Sequence, residues 1–195
     1  EMIITNGVSE GMDIVLRALL NPGDDVLIPE PSYVCYSPLT VLTGANVVSV
    51  PTHNSDFVLD ATVLEASITK QSKVLILSSP SNPTGRIIPK EQLEEIAKVV
   101  EKYDLWVISD EIYAELSFDD DYVSFASLPG MKDRTLLMNG FSKAWAMTGW
   151  RLGYVCGPSD VISRALKIHQ YSALCAPTIS QFAGVVALDE TAVEV

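Results

Sequence analysis

The sequence predicts an α/β protein, a three-layer α/β/α arrangement on a mostly parallel sheet. Short β-rich runs alternate with segments whose apolar residues recur at helical spacing, and no repeat, low-complexity run or Ser/Gly linker interrupts them across 195 residues. Strands that alternate with helices pair in parallel and are covered on both faces. The residues with the most chemical character also fall just after the strand-like runs, where open parallel sheets bind ligands.

In chain order, Asn6-Gly7-Val8-Ser9-Glu10 opens a helical pattern, SEGMDIVLRALL (9–20), which stops at Asn21-Pro22-Gly23. Strand-like VLI (26–28), VVSV (47–50) and KVLILS (73–78) come next, the last running into SPSNPTG. KEQLEEIAKVVEKY (90–103) is amphipathic at the helical period. LWVIS (105–109) then leads into DEIY and TLLMN (135–139) into GFSK, before a last strand-like run, RLGYVCG (151–157). From Pro158 two helical stretches, SDVISRALKIHQYSAL and TISQFAGVVALDE, are separated by Ala176-Pro177. The first residue is not Met and the final pattern looks cut off, which reads as an incomplete polypeptide.

Composition narrows the function. Nearly half the residues are hydrophobic, enough for one sizeable core, and the formal net charge of -12 would repel nucleic acid or an anionic membrane surface. Cys35, Cys156 and Cys175 are few and scattered, which suits a reducing cytoplasm better than a disulfide framework. His53 and His169 read as structural or solvated, and with no Cys-x-x-Cys there is no metal-ligand spacing. No run reaches membrane-spanning length and no signal-peptide pattern opens the chain, so a soluble cytoplasmic protein is expected.

Within that acidic chain, NGFSKAWAMTGWRLGY (139–154) holds Lys143 and Arg151 with no acidic residue between them. Phe141, Ala144, Trp145, Ala146 and Met147 around Lys143 predict a dehydrated amine, and dehydration beside a second cation favours the neutral, nucleophilic form. Such lysines form Schiff bases with carbonyl compounds, pyridoxal 5'-phosphate among them. That cofactor needs an anion at its pyridine nitrogen, and Asp110 at the end of LWVIS is the candidate. A helix N-cap is the plainer reading of Asp110. Tyr113 would share a helical face with Asp110 and reach the ring hydroxyl. Asn82, before Pro83, is biased toward extended backbone and sits in a turn that aims its amide off the strand. The helix opening at Val8, Ser9 and Glu10 offers backbone N–H groups to a phosphate, Ser142 a hydroxyl and Arg151 a bidentate cation. Tyr33 in EPEPSYVCY is the candidate for stacking on the ring.

Taken together and in this order, NGVSEG, PGDDVLIPEPSY, SSPSNPTG, SDEIY and NGFSKAWAMTGWRLGY resemble the cofactor-binding large domain of class I, fold-type I pyridoxal-phosphate-dependent aminotransferases, over essentially the whole chain (1–195). The resemblance implies Lys143 as the Schiff-base lysine, Asp110 as the pyridinium partner, Tyr113 and Asn82 on the ring oxygen and Tyr33 on the ring face. Ser142, Arg151 and the amides around Val8, Ser9 and Glu10 are implied as phosphate ligands, with a small residue at Gly11 and cis peptide bonds before Pro31 and Pro83. For Glu10 the carboxylate must then point outward. The N-terminal arm and C-terminal small domain of the family have no counterpart, so the carboxylate-clamping arginine and the neighbouring subunit's tyrosine are missing and poor transamination by this polypeptide alone is implied. The subgroup it most resembles holds aromatic, aspartate, alanine and N-acetyl-diaminopimelate aminotransferases. A homodimer acting on an amino acid and a 2-oxo acid is implied; a β-lyase on the same cofactor and a non-catalytic sensor domain stay open as alternatives.

Overall fold

The computed structural model describes residues 1–118 and 122–190. Its strands are β1 (Met2–Thr5), β2 (Asp25–Glu30), β3 (Asn46–Pro51), β4 (Ser72–Ser78), β5 (Trp106–Asp110), β6 (Thr135–Gly140) and β7 (Gly153–Cys156). They form one sheet in the order β1-β7-β6-β5-β4-β2-β3, in which β7 runs antiparallel to both neighbours and β2 to β6 are parallel. The helices are α1 (Gly7–Leu19), α2 (Tyr36–Leu42), α3 (Ala61–Ala66), α4 (Lys90–Lys102), α5 (Ser159–Ser172) and α6 (Thr178–Glu190).

The strand-like runs correspond to β2 to β7 and the helical patterns to α1, α4, α5 and α6. The mostly parallel sheet is confirmed, and helices cover both of its faces. β1, α2 and α3 were not anticipated, nor was the reversed direction of β7.

Side-chain alternation along the strands separates two cores. Val26, Ile28, Val74, Ile76 and Ile108 point to one face, against Met12, Val15 and Leu16 of α1 and Val161, Ile162 and Ala165 of α5. Leu27, Leu75, Leu77 and Val107 point to the other, against Leu64 of α3 and Leu93, Ile96 and Val100 of α4. Residues that alternate along one strand are therefore buried on opposite sides, which is why the runs are apolar throughout. A smaller cluster of Phe141, Met147, Leu152, Ala176 and Ala187 ties the β6–β7 connection to α6.

The sheet's winding places the site. From β2 the chain moves outward to β3, then returns past β2 to β4 and proceeds through β5 to β6. The reversal falls between β2 and β4, and crevices at such a switch point, beyond the carboxyl ends of the strands, are where open α/β sheets take ligands. Between β5 and β6 the described chain forms only 3-10 turns, at Ala114–Leu116, Phe125–Ser127 and Lys132–Arg134. Tyr113 therefore lies in a turn and not on a helix shared with Asp110, which corrects the expected geometry.

Candidate active site

A cleft of about 160 Å³ opens beyond the carboxyl ends of β4, β5 and β6, beside the first turn of α1. Val8 and Ser9 of α1, Tyr33 after β2, Asn82 after β4, Asp110 and Tyr113 of the β5 end, and Ser142, Lys143 and Arg151 of the β6–β7 connection all line it. Residues separated by more than a hundred positions meet there because each comes after a strand end or opens a helix on the same side of the sheet.

Asp110 forms the floor and is 5% exposed. Its Oδ2 accepts the Tyr36 hydroxyl at 2.7 Å and its Oδ1 accepts the Ile112 backbone N–H at 3.3 Å. Burial pushes the carboxyl up to about 6 against the Tyr36 and Ile112 bonds, which favour its charged form, while Glu111 adds a smaller upward push and Lys143 a smaller downward one. An Asx-type bond to Ile112 thus replaces the N-cap reading, since Asp110 leads into a 3-10 turn and not an α-helix. Tyr36 is itself buried, and burial together with the Asp110 charge holds its hydroxyl far above the usual tyrosine range. Cys35 also reaches the cleft, but burial pushes its thiol up to about 11, so it is not a thiolate near neutral pH.

Lys143 sits in a turn after β6, closed by the Ala146 N–H donating to its carbonyl at 3.0 Å. Its Nζ lies 5.6 Å from the centre of the Tyr113 ring, a cation-π distance. The expected dehydration is not found: the Lys143 side chain is exposed, as is Ala146. Phe141 and Met147 are buried, but they turn away from the amine into the cluster shared with Leu152 and α6. Their apolar character serves packing.

Arg151 adopts a left-handed backbone, φ 53°, which directs its side chain back over the start of α1. Its Nη2 donates to the Asn6 carbonyl at 3.3 Å and its Nη1 to the Thr148 carbonyl at 3.0 Å. Gly7 makes room: a Cβ there would lie 2.4 Å from Nη2, and its φ of +74° disfavours a side chain in any case. Gly153 is required one layer below, where a Cβ would come within 2.7 Å of the Gly7 carbonyl carbon. Asn6 makes no side-chain cap to the first turn of α1. Among the described residues no ion pair involves Lys143 or Arg151.

Glu10 departs from the cleft. Its Oε2 accepts the Asn6 backbone N–H at 2.6 Å and the Asn6 amide at 3.0 Å, and its Oε1 lies 3.0 Å from His169 Nδ1 on α5. The carboxylate points not outward, as expected, but inward to the α1–α5 contact, where His169 binds it. His169, expected to be structural or solvated, is buried there. Gly11 packs where α1 crosses β7, with a Cβ position 2.7 Å from Val155. The peptide bonds before Pro31 and Pro83 are cis, as expected, and that before Pro80 is cis as well.

Sequence reasoning missed Tyr36, Ser78 and Thr148, which also line the cleft. Tyr36 had a signal: it lies three residues after Tyr33 in PSYVCY, at the start of an apolar helical turn, and a buried tyrosine hydroxyl needs a partner.

Fold and cleft together define a class: an α/β domain whose strand-end loops converge an amine, a buried carboxylate and a guanidinium at a helix N-terminus. The family model for "Aminotransferase class I and II" matches residues 1–194, and the chain belongs to that family. The YugH protein of Bacillus subtilis (strain 168) is 50% identical over 184 residues, 94% of this chain and 48% of that protein. A bifunctional aspartate aminotransferase and glutamate/aspartate-prephenate aminotransferase of Petunia hybrida is 48% identical over 191 residues, covering 96% of this chain and 40% of that one. Among solved structures, an aromatic aminotransferase from Pyrococcus horikoshii OT3 superposes with a TM-score of 0.95 at 43% identity, covering 98% of this chain and 52% of that one. The chain spans about half the length of the curated relatives it matches.

Proposed function

We propose that residues 1–195 are the cofactor-binding large domain of a pyridoxal-5'-phosphate-dependent aminotransferase, which moves an amino group between an amino acid and a 2-oxo acid. The observation that carries this reading is that Lys143, Asp110 and Arg151, from three separate loops, line one cleft. The donor set fits the cofactor. Arg151, the Ser142 hydroxyl and the uncapped first turn of α1 suit its phosphate, and Gly7 leaves the space that any side chain would fill. Asp110 suits its ring nitrogen.

When bound, pyridoxal 5'-phosphate supplies a carbonyl carbon for an amine and a ring that withdraws electrons from the bonds next to it. Lys143 would present the amine that holds that carbonyl, and its Nζ would be the base that takes the substrate's α-proton and the acid that returns it. Asp110 favours a protonated ring nitrogen by its charge, and its two oxygens are fixed separately by Tyr36 and the Ile112 N–H. Tyr113 and Asn82 would border the ring oxygen, and Tyr33 the ring face. Arg151, Ser142 and the amides at Val8 and Ser9 would hold the phosphate. Glu10 contributes no side chain to that end.

Homodimer formation and a cytoplasmic location belong to the same proposal. The outer side of α6 supports self-association, since Ile179, Phe182 and Val185 are exposed there. Among the described residues no helix is long and apolar enough to cross a membrane.

The test is to supply the chain with cofactor and a panel of amino donors and measure 2-oxo acid formation. A 2-oxo acid made in proportion to an added acceptor supports amino transfer, whereas pyruvate and ammonia without an acceptor indicate a β-lyase. Undiminished multiple turnover by Lys143→Ala would refute the role given to that amine.

A further inference from the structure

Half-buried Glu10 and buried His169 form a pair that the proposed chemistry does not use. Glu10 is 14% exposed and His169 5% exposed as side chains, with Oε1 and Nδ1 3.0 Å apart. The other Glu10 oxygen accepts from the Asn6 backbone N–H at 2.6 Å and from its side-chain amide at 3.0 Å. Asn6 in turn gives its carbonyl to Arg151 Nη2 at 3.3 Å. Arg151 Nη1 reaches the Thr148 carbonyl at 3.0 Å, and the Thr148 hydroxyl donates to the Ser142 carbonyl at 2.7 Å. A single run of hydrogen bonds therefore leads from the interior of the α1–α5 contact to the residue before Lys143.

We infer that Glu10 and His169 are positioning residues for the anion end of the cleft, acting through Asn6 on Arg151. The inference rests on the proposed function, because it takes the anion to be the phosphate of pyridoxal 5'-phosphate. A carboxylate one turn into α1 would oppose that phosphate if it faced the cleft. His169 instead draws it to the α5 side, where it binds Asn6 and leaves the first-turn amides without a competing acceptor. With Asn6 fixed, its carbonyl holds the guanidinium over Gly7. Without Glu10, Asn6 loses the acceptor for its backbone N–H and its side-chain amide, and Arg151 loses a fixed anchor.

The phosphate-specific part of affinity reads this out. The chain is titrated with pyridoxal 5'-phosphate and with pyridoxal, which lacks the phosphate, for wild type, Glu10→Ala, Glu10→Gln, His169→Ala and His169→Gln. Losing a part-buried charge-assisted hydrogen bond predicts that Glu10→Ala weakens pyridoxal 5'-phosphate by about tenfold, with pyridoxal changed less than about twofold. Glu10→Gln, whose amide oxygen can still accept from Asn6, recovers most of the loss. His169→Ala weakens the phosphorylated ligand by a smaller factor, His169→Gln less again, and Glu10→Ala with His169→Ala no more than Glu10→Ala alone, because both act through one path. Equal loss for both ligands, or undiminished pyridoxal 5'-phosphate affinity in folded Glu10→Ala, overturns the inference. A wild-type chain that binds pyridoxal 5'-phosphate but does not prefer it to pyridoxal also overturns it, and one that binds neither overturns the proposed function itself.

Discussion

Asp110 and Lys143 line the same cleft, yet the chain treats its two ends oppositely. The carboxylate end is closed by the chain itself: Asp110 is buried, both oxygens have donors, and burial pushes its proton affinity up. The cationic end is open, with Lys143 exposed and the Arg151 guanidinium hydrogen-bonded, among the described residues, to the backbone carbonyls of Asn6 and Thr148. A buried charge is costly without a counter-charge, and an exposed cation at a helix N-terminus gains from an anion. Under the proposed function, a ligand with a cationic ring nitrogen at one end and a phosphate at the other would relieve both ends at once. The contrast is therefore a statement about the ligand's polarity and its direction in the cleft.

The largest effect should come at the open end. Lys143→Ala removes both the carbonyl-holding amine and the proton carrier, and loss of proton transfer alone predicts a fall of about 10²–10⁴ in turnover, measured as 2-oxo acid formed with saturating cofactor. Arg151→Ala should weaken pyridoxal 5'-phosphate by about 10–100-fold, the worth of charge-assisted hydrogen bonds, in a fluorescence or absorption titration. An unchanged constant would mean that the phosphate lies elsewhere.

The closed end is tested through stability in the cofactor-free chain. Asp110 rises from 3.8 to about 6 on folding, so the folded chain binds this proton more tightly than the unfolded one. Its contribution is fully present below pH 3.8 and is lost as pH rises through about 6. Asp110→Asn should therefore stabilise the cofactor-free chain by about 1–3 kcal/mol at pH 8, with the gain disappearing toward pH 3.8, in paired denaturant melts. The same substitution should impair amino transfer. A variant less stable than wild type at pH 8 would remove the contrast between the two ends. The smallest effect is that of Tyr36→Phe, which leaves Asp110 Oδ2 without its donor and should cost about 1–2 kcal/mol at pH 8, and less where Asp110 is protonated.

Much of this is legible in the sequence because the chemistry sits at strand ends. KVLILS, LWVIS and TLLMN each announce a buried strand, and the loop after each one must emerge on the same side of a parallel sheet. That rule alone brings Asn82, Asp110 and Lys143 together. Short elements are not legible: MIIT, YSPLTVL and ATVLEA are too brief for a period to declare itself. β7 reads as an ordinary strand, because its direction depends on a β6–β7 connection that folds into turns.

The environment of Lys143 is misread for a related reason. Phe141 and Met147 flank it in sequence, but their partners are Leu152, Ala176 and Ala187, so local composition reports a packing cluster and not the amine's surroundings. The Glu10–His169 contact spans 159 positions, from α1 to α5, and no local pattern encodes it. Tyr36 is easily overlooked in favour of Tyr33; both line the cleft, their rings edge to face at 5.7 Å, and only the start of α2 turns the Tyr36 hydroxyl onto Asp110.

The direct test of the ligand's placement is chemical trapping. The chain is saturated with pyridoxal 5'-phosphate, reduced with borohydride, digested with trypsin and mapped by mass spectrometry. The account predicts the cofactor's added mass on the peptide that contains Lys143, and its absence from the Lys143→Ala digest. Label on a different lysine, or none at saturation, would contradict it.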